Sequence, residues 1–155
     1  DQTLNSHRIY VASSWRNLRH ATVVAYLRGL RHEVYDFRHP YPGNDGFQWA
    51  EIDPEWEMWS AQQFIQALTS DLACAGFLSD ARALKDADAV VMVMPCGRSS
   101  HLELGWAAGA GKPTAILLDG PCEPELMYKL AQFITTDLEK VARWLDTVAS
   151  RQVAP

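Results

Sequence analysis

The stretch Asp80–Leu118, DARALKDADAVVMVMP followed by CGRSSHLELGWAAGAGKPTAILL, decides the fold. Ala89-Val90-Val91-Met92-Val93-Met94 is an unbroken apolar run between an aspartate and a proline. A run apolar on both faces is the pattern of a strand buried inside a parallel sheet. It stops at Pro95, in a small polar loop, Cys96-Gly97-Arg98-Ser99-Ser100. A helix is predicted from about His101, with Glu103 in its first turn and Pro113 at its end. A second apolar run follows, Thr114 to Leu118. Strand, Gly/Ser loop and helix start together make a crevice at the carboxyl end of a sheet, where open α/β folds bind ligands. A carboxylate in that crevice, here Glu103, is a candidate nucleophile or base.

Working outward, the same alternation of strand and helix continues. RIYVAS, Arg8–Ser13, reads as a first strand. Trp15–Gly29 reads as a helix, with Leu18, Val23, Tyr26, Leu27 and Leu30 near helical spacing. HEVYDF, His32–Phe37, alternates and reads as a second strand. An irregular insert occupies about 38–53, rich in Pro, Gly, Asn and Asp, with Tyr41, Phe47 and Trp49 interleaved. A segment of that length is functional or disordered, and its aromatics argue for order. Those rings either stack a base or pack the loop, and packing is slightly favoured. Pro54 is placed to open a helix capped by Asp53, with Trp56, Trp59, Phe64, Ile65 and Leu68 as its stripe. The two tryptophans suit core or a subunit interface. Asp80 is placed to cap a short helix through Lys85. A last helix is predicted from Thr136 or Asp137 to Ala149, with Leu138, Val141, Leu145 and Val148 on one face, and the tail RQVAP is expected to fray.

The expected architecture is a single domain over residues 1–155. It is a doubly wound, mostly parallel five-stranded α/β sheet of flavodoxin-like or Rossmann-like type, helices on both faces. Four of its strands are placed above. The first strand and the strand at Ala89 should be central neighbours, so that the loops SSWRN and CGRSSH face each other.

The chain has 155 residues, enough to bury a core. Its formal net charge is -5 with no block of Lys and Arg, which argues against a nucleic-acid polymer as partner. Cys74, Cys96 and Cys122 fit neither a disulfide framework nor a metal spacing, and no metal is expected. No apolar run approaches a membrane span and no signal peptide is visible, so no membrane partner and a cytoplasmic location are expected. The chain opens at Asp1 rather than Met, and its first residues are expected to be a remnant of expression.

The pattern from Ile9 to Tyr128 resembles the nucleoside 2-deoxyribosyltransferase-like family of N-glycosidases, which includes nucleoside 5′-monophosphate N-glycosidases. The resemblance rests on IYVASSW, on DPEW in the middle of the chain and on Asp80 and Asp88, eight residues apart before the strand. It continues through HLELGWAAGAGK to EPELMY, Glu123–Tyr128. Each motif is weak alone; their order and spacing together are specific. The resemblance implies cleavage or transfer at the N-glycosidic bond of a small-molecule nucleoside or nucleotide. It implies no cofactor, and it implies a homo-oligomer whose sites are completed across subunits, with Glu125–Gln132 the plausible donor segment.

The resemblance also implies residue roles. Glu103 would attack the anomeric carbon, displace the base and form a glycosyl-enzyme ester, which water or a second base then resolves. By itself, a glutamate in a first turn more often only favours the helix dipole. Asp80 would hydrogen-bond or protonate the leaving base, a role compatible with capping. Asp88 is read as structural, at the start of the strand. Tyr10 would orient the Glu103 carboxylate, or be an ordinary core tyrosine. Ser13 and Ser14 resemble the sugar-binding turn, with Trp15 and Arg16 at its edge.

Gly97 departs from both branches of the family, which carry there an acidic residue for a sugar hydroxyl or a serine for a 5′-phosphate. Arg98, Ser99 and Ser100 with exposed amides suit an anion, and helix capping is the alternative. His101 faces ligand or solvent. Two other functions compete. One is a TIR-like NAD glycohydrolase, which also uses a glutamate in a small flavodoxin-like domain. The other is a nucleotide sensor without turnover, motivated by Gly97. A flavodoxin-like redox role suits Glu103 and the charged SSWRN loop poorly.

Overall fold

The computed structural model describes residues 5–149; the residues at Asp1 and the tail RQVAP lie outside that range. Five strands form one sheet in the order β2-β1-β3-β4-β5, with every neighbouring pair parallel. They are β1 (Arg8–Ala12), β2 (Glu33–Tyr35), β3 (Ala89–Val93), β4 (Thr114–Leu117) and β5 (Phe133–Thr135). This is the flavodoxin-like order, whose switch point lies between β1 and β3. The expected central pair is observed, in the register Ile9 to Ala89 and Tyr10 to Val90. The fifth strand, unplaced from sequence, is the three-residue edge FIT, too short and too exposed to show a pattern.

The chain packs as two compact units. The first comprises the residues through Asp36 and those from Asp86 onward, and the second is Phe37–Lys85. In the first unit, α1 (His20–Gly29) and α5 (Leu138–Thr147) share one core with one face of the sheet. Val23, Leu27, Val141 and Leu145 meet the alternate strand residues Ile9, Val11, Val91 and Leu117 there. The other strand face, which includes Tyr10, looks toward α4 (Arg98–Gly109), whose Ser100, Leu104 and Ala107 are buried.

Two helix starts in this unit differ from expectation. α1 begins at His20 rather than Trp15, because the Asn17 side chain takes the Arg19 amide at 2.7 Å and holds residues 15–19 as a turn. Leu18, placed on the helix stripe by spacing, is 96% exposed in that turn. α4 begins at Arg98, capped by extended Gly97, so the supposed loop Arg98-Ser99-Ser100 is its first turn. Glu103 therefore sits in the second turn, beyond the reach of the helix-end charge invoked for it.

The second unit contains two short 3-10 turns, Trp49–Glu51 and Trp56–Met58, followed by α2 (Ala61–Ala67) and most of α3 (Asp71–Asp86). The helix predicted from Pro54 is broken. The Asp53 carboxylate accepts from the Glu55 amide at 2.9 Å and from the Trp59 indole at 2.8 Å, and those bonds lower its pKa. Trp59 is then extended, and Ser60 caps a new helix in a reciprocal pair with Gln63. Trp49 is the hub of this unit, meeting Phe47, Trp59 and Phe64 edge-on at 4.8, 5.9 and 5.7 Å. The insert rings Phe47 and Trp49 thus pack with one another, while Tyr41 is 53% exposed. Asp80 does not cap a helix: α3 starts nine residues earlier, where the Ser70 hydroxyl accepts from the Ala73 amide at 3.2 Å.

Candidate active site

Glu103 is brought onto Tyr10. The Tyr10 side chain leaves the middle of β1 on the α4 side, and its hydroxyl donates to the Glu103 carboxylate. Tyr10 is only 1% exposed and its ring stacks on Tyr35 of β2 at 5.4 Å. The ring is fixed by core packing, so the hydroxyl is a stationary donor and the carboxylate it holds is oriented. Register explains the pair: Tyr10 and Tyr35 are cross-strand partners, and α4 runs back over β1 after β3. Glu103 thus lies over β1, about one helical turn in from the carboxyl edge of the sheet.

That edge is laced together by small polar side chains. The Ser13 hydroxyl donates to Val93 O at 3.1 Å. The Asn17 amide donates to Val93 O at 3.1 Å and to Pro95 O at 3.0 Å. The Ser100 hydroxyl donates back to Ser13 O at 2.9 Å. All three side chains are buried. The loops SSWRN and CGRSSH do meet, and Ser13 and Ser100 hold the loops' shape with their hydroxyl protons. Ser14 is partly buried and accepts from the Arg16 amide at 3.2 Å. Trp15, Arg16, Gly97, Arg98 and Ser99 are exposed around the edge. Asn17 was missed from sequence; its signal was an asparagine in a tight turn after a strand, where such side chains bond backbone.

His101 is engaged on both ring nitrogens. Nδ1 lies 2.6 Å from Gly97 O, and Nε2 lies 2.8 Å from the Tyr128 hydroxyl, with the two rings stacked at 5.6 Å. Tyr128, in the segment expected to serve a neighbouring subunit, is therefore used within its own chain. Cys96 lies between the two clusters, 3.9 Å from His101 Nδ1. Burial, with the nearby Glu103 charge, pushes its thiol up to about 11 against a Ser100 hydrogen bond. A thiol so raised is protonated at neutral pH and is a poor nucleophile. Burial likewise raises the Tyr128 phenol.

Asp80 is a partly buried residue inside α3. Asp88 closes the amino end of the central strands: its carboxylate accepts from the Arg8 amide at 2.8 Å and its own amide donates to Arg8 O at 2.7 Å. Among the described residues no group of three or more His, Cys, Asp or Glu is placed to hold a metal ion, and no helix is long and apolar enough to cross a membrane.

Fold and site together define a flavodoxin-like α/β protein with an oriented carboxylate on its α4 face. Among solved structures, the chain is similar to a 2-deoxyribosyltransferase of Bacillus psychrosaccharolyticus, with 21% identity and a TM-score of 0.53 over 86% of this chain and 89% of that one. It is also similar to the CMP N-glycosidase BcmB of Clostridium botulinum, with 17% identity and a TM-score of 0.49 over 90% of this chain and 98% of that one. At 21% identity the likeness to the 2-deoxyribosyltransferase is one of fold alone. No protein-family model matches the chain, and no curated protein matches it.

Proposed function

We propose that the protein cleaves or transfers at the N-glycosidic bond of a nucleoside or nucleoside 5′-monophosphate, with Glu103 as the nucleophile. The observation that carries this reading is the Tyr10 hydroxyl bonded to Glu103 from inside the core. One Glu103 oxygen is held by the phenol and the other attacks the anomeric carbon as the bond to the base breaks. The bonding pair leaves with the base, which needs a proton or hydrogen-bond donor. The resulting ester on Glu103 is resolved by water in a hydrolase or by a second base in a transferase. As the carboxylate loses charge on forming the ester, the Tyr10 bond weakens; it re-forms as the sugar leaves.

The phosphate end of the substrate falls to Arg98, Ser99 and the first-turn amides of α4, because Gly97 offers no side chain to cap them and the Ser100 hydroxyl is already used. Ser14, Trp15, Arg16 and His101 border the sugar in this reading. The test is a chromatographic screen of nucleosides, 2′-deoxynucleosides, their 5′-monophosphates and NAD for released base, with and without an acceptor base. Base release from a nucleoside or monophosphate that disappears in Glu103→Gln supports the reading. Release from NAD alone, or tight binding with no release from any of them, replaces it.

A further inference from the structure

Where β3 runs out, soft donor atoms from separate parts of the first unit converge. Met94 and Cys96 lie in the loop after Ala89–Val93, His101 near the start of α4, and Tyr128 in the 3-10 turn Leu126–Leu130. All four side chains are half-buried, neither sealed in the core nor free in water. The Cys96 Sγ lies 3.5 Å from the Met94 Sδ and 3.9 Å from His101 Nδ1. The His101 ring is held at Nδ1 by Gly97 O at 2.6 Å and at Nε2 by the Tyr128 hydroxyl at 2.8 Å. That hydroxyl is itself 3.5 Å from the Met94 Sδ. A thiol and a thioether are weak hydrogen-bonding groups, so their closeness to each other and to an imidazole gains little from hydrogen bonds. The same three groups are good ligands for a soft metal.

We propose that Met94, Cys96 and His101 form a binding site for a soft monovalent metal ion of the Cu(I) type. The spacing fits. With ~2.3 Å to sulfur and ~2.0 Å to nitrogen, as for the d10 ion of zinc, separations of 3.5 and 3.9 Å open angles of about 100° and 130° at the metal. Those angles suit a three-coordinate or flattened tetrahedral ion. Softness selects the element: a thiolate with a thioether favours Cu(I), whereas magnesium and calcium want oxygen. Charge selects the valence. Binding displaces the Cys96 proton, so thiolate and Cu(I) sum to zero in a half-buried place, where a divalent ion would leave a charge uncompensated. The imidazole changes tautomer without changing charge. Nδ1, which donates to the Gly97 carbonyl, gives up its hydrogen to bind the ion; Nε2 takes one and donates it to the Tyr128 oxygen. Tyr128 then fixes the ring from behind, as the outer partners of ligating histidines do. One proton, that of Cys96, is released per ion bound. The inference stands apart from the chemistry proposed for Glu103.

Competition for Cu(I) against bicinchoninate, without oxygen, tests it on the full chain carrying Cys74→Ser and Cys122→Ser, which remove the exposed thiols. One Cu(I) per chain should pass to the protein, with one proton released. Cys96→Ser should weaken binding by more than the roughly hundredfold that marks the upper end for an outer-shell partner. Met94→Leu, which keeps the volume, and Tyr128→Phe, which deletes the acceptor behind His101, should each cost about ten- to a hundredfold. No transfer from bicinchoninate, an affinity indifferent to Cys96→Ser or to Met94→Leu, or Zn(II) held as tightly as Cu(I) would each overturn the proposal. X-ray absorption on the wild-type chain loaded with one equivalent of Cu(I) reads the site without any substitution, and decides should the serine variants fail to fold. Two sulfurs and a nitrogen are expected around the copper; a shell of sulfur alone, or of nitrogen and oxygen alone, would overturn the assignment.

Discussion

The two ends of the central strands use polar side chains in opposite ways. At the amino end the buried side chains bond to backbone, and Arg8 and Glu33 form an exposed ion pair at 3.3 Å. Asp88 and Arg8 exchange bonds between β1 and the start of β3. His7, 2% exposed, reaches Leu145 O at 3.0 Å, and its amide donates to His32 Nδ1 at 3.1 Å. Lys112 caps Ala87 O at 2.6 Å. Toward the carboxyl end the loops are also tied to backbone, by Ser13, Asn17 and Ser100, but beside them two side chains, Tyr10 and Glu103, bond to each other. A backbone partner fixes the fold, whereas a phenol on a carboxylate stabilises a charge that it does not neutralise.

Substitutions should respect that division. Glu103→Gln keeps the size and the hydrogen bond to Tyr10 but removes the proposed nucleophile. Base release should fall by about 10³-fold or more while the thermal midpoint stays near wild type. Tyr10→Phe keeps the ring stack on Tyr35 and deletes only the donor, and should lower kcat about ten- to a hundredfold. A similar loss confined to KM would make Tyr10 a substrate contact and not an orienting group. Asp88→Ala, at the other end, should cost about 1 kcal/mol of stability in urea titration and leave kcat per folded molecule unchanged.

The amino end should also be the acid-sensitive one. Burial, reinforced by His7 and opposed by Asp146, holds the His32 pKa below its usual 6.5. Its Nδ1 accepts a backbone bond, so the fold requires the neutral ring. The unfolded chain binds the proton more readily, so stability contributed by this group is present above about pH 6.5 and is lost as pH falls below it. Urea midpoints at pH 7 and pH 5 should drop further in wild type than in His32→Asn, which keeps an acceptor without the titration. An equal drop would move the acid sensitivity elsewhere. Smallest in effect is the labelling of cysteines: exposed Cys74 and Cys122 should alkylate at pH 8 well before Cys96, whose reaction should keep accelerating toward pH 11.

What the sequence made legible follows from how much physics each residue carries locally. Ala89–Val93 and Thr114–Leu117 announced themselves because a buried parallel strand leaves a continuous apolar run. Once they were placed, the neighbourhood of β1 and β3 followed, and with it the meeting of the loops SSWRN and CGRSSH. Phe133–Thr135 did not show, since a three-residue edge strand has no periodicity to read. The breaks in the middle of the chain were hidden in side chains. Asp53 looked like a cap and instead serves an amide and an indole, and Ser70 rather than Asp80 starts α3. At the site, Tyr10 and Glu103 were legible through the resemblance of their motifs and not through spacing, because 93 residues separate them. Asn17 bonds to carbonyls 76 and 78 residues away, a pairing that no local pattern encodes.

The proposed nucleophile can be tested directly. Acid quenching during turnover of a 2′-deoxynucleoside or nucleoside 5′-monophosphate, followed by peptide mapping, should find one sugar mass on Glu103. No such adduct should form in Glu103→Gln. Base release by Glu103→Gln at the wild-type rate, or a sugar carried by another side chain, would contradict the assignment.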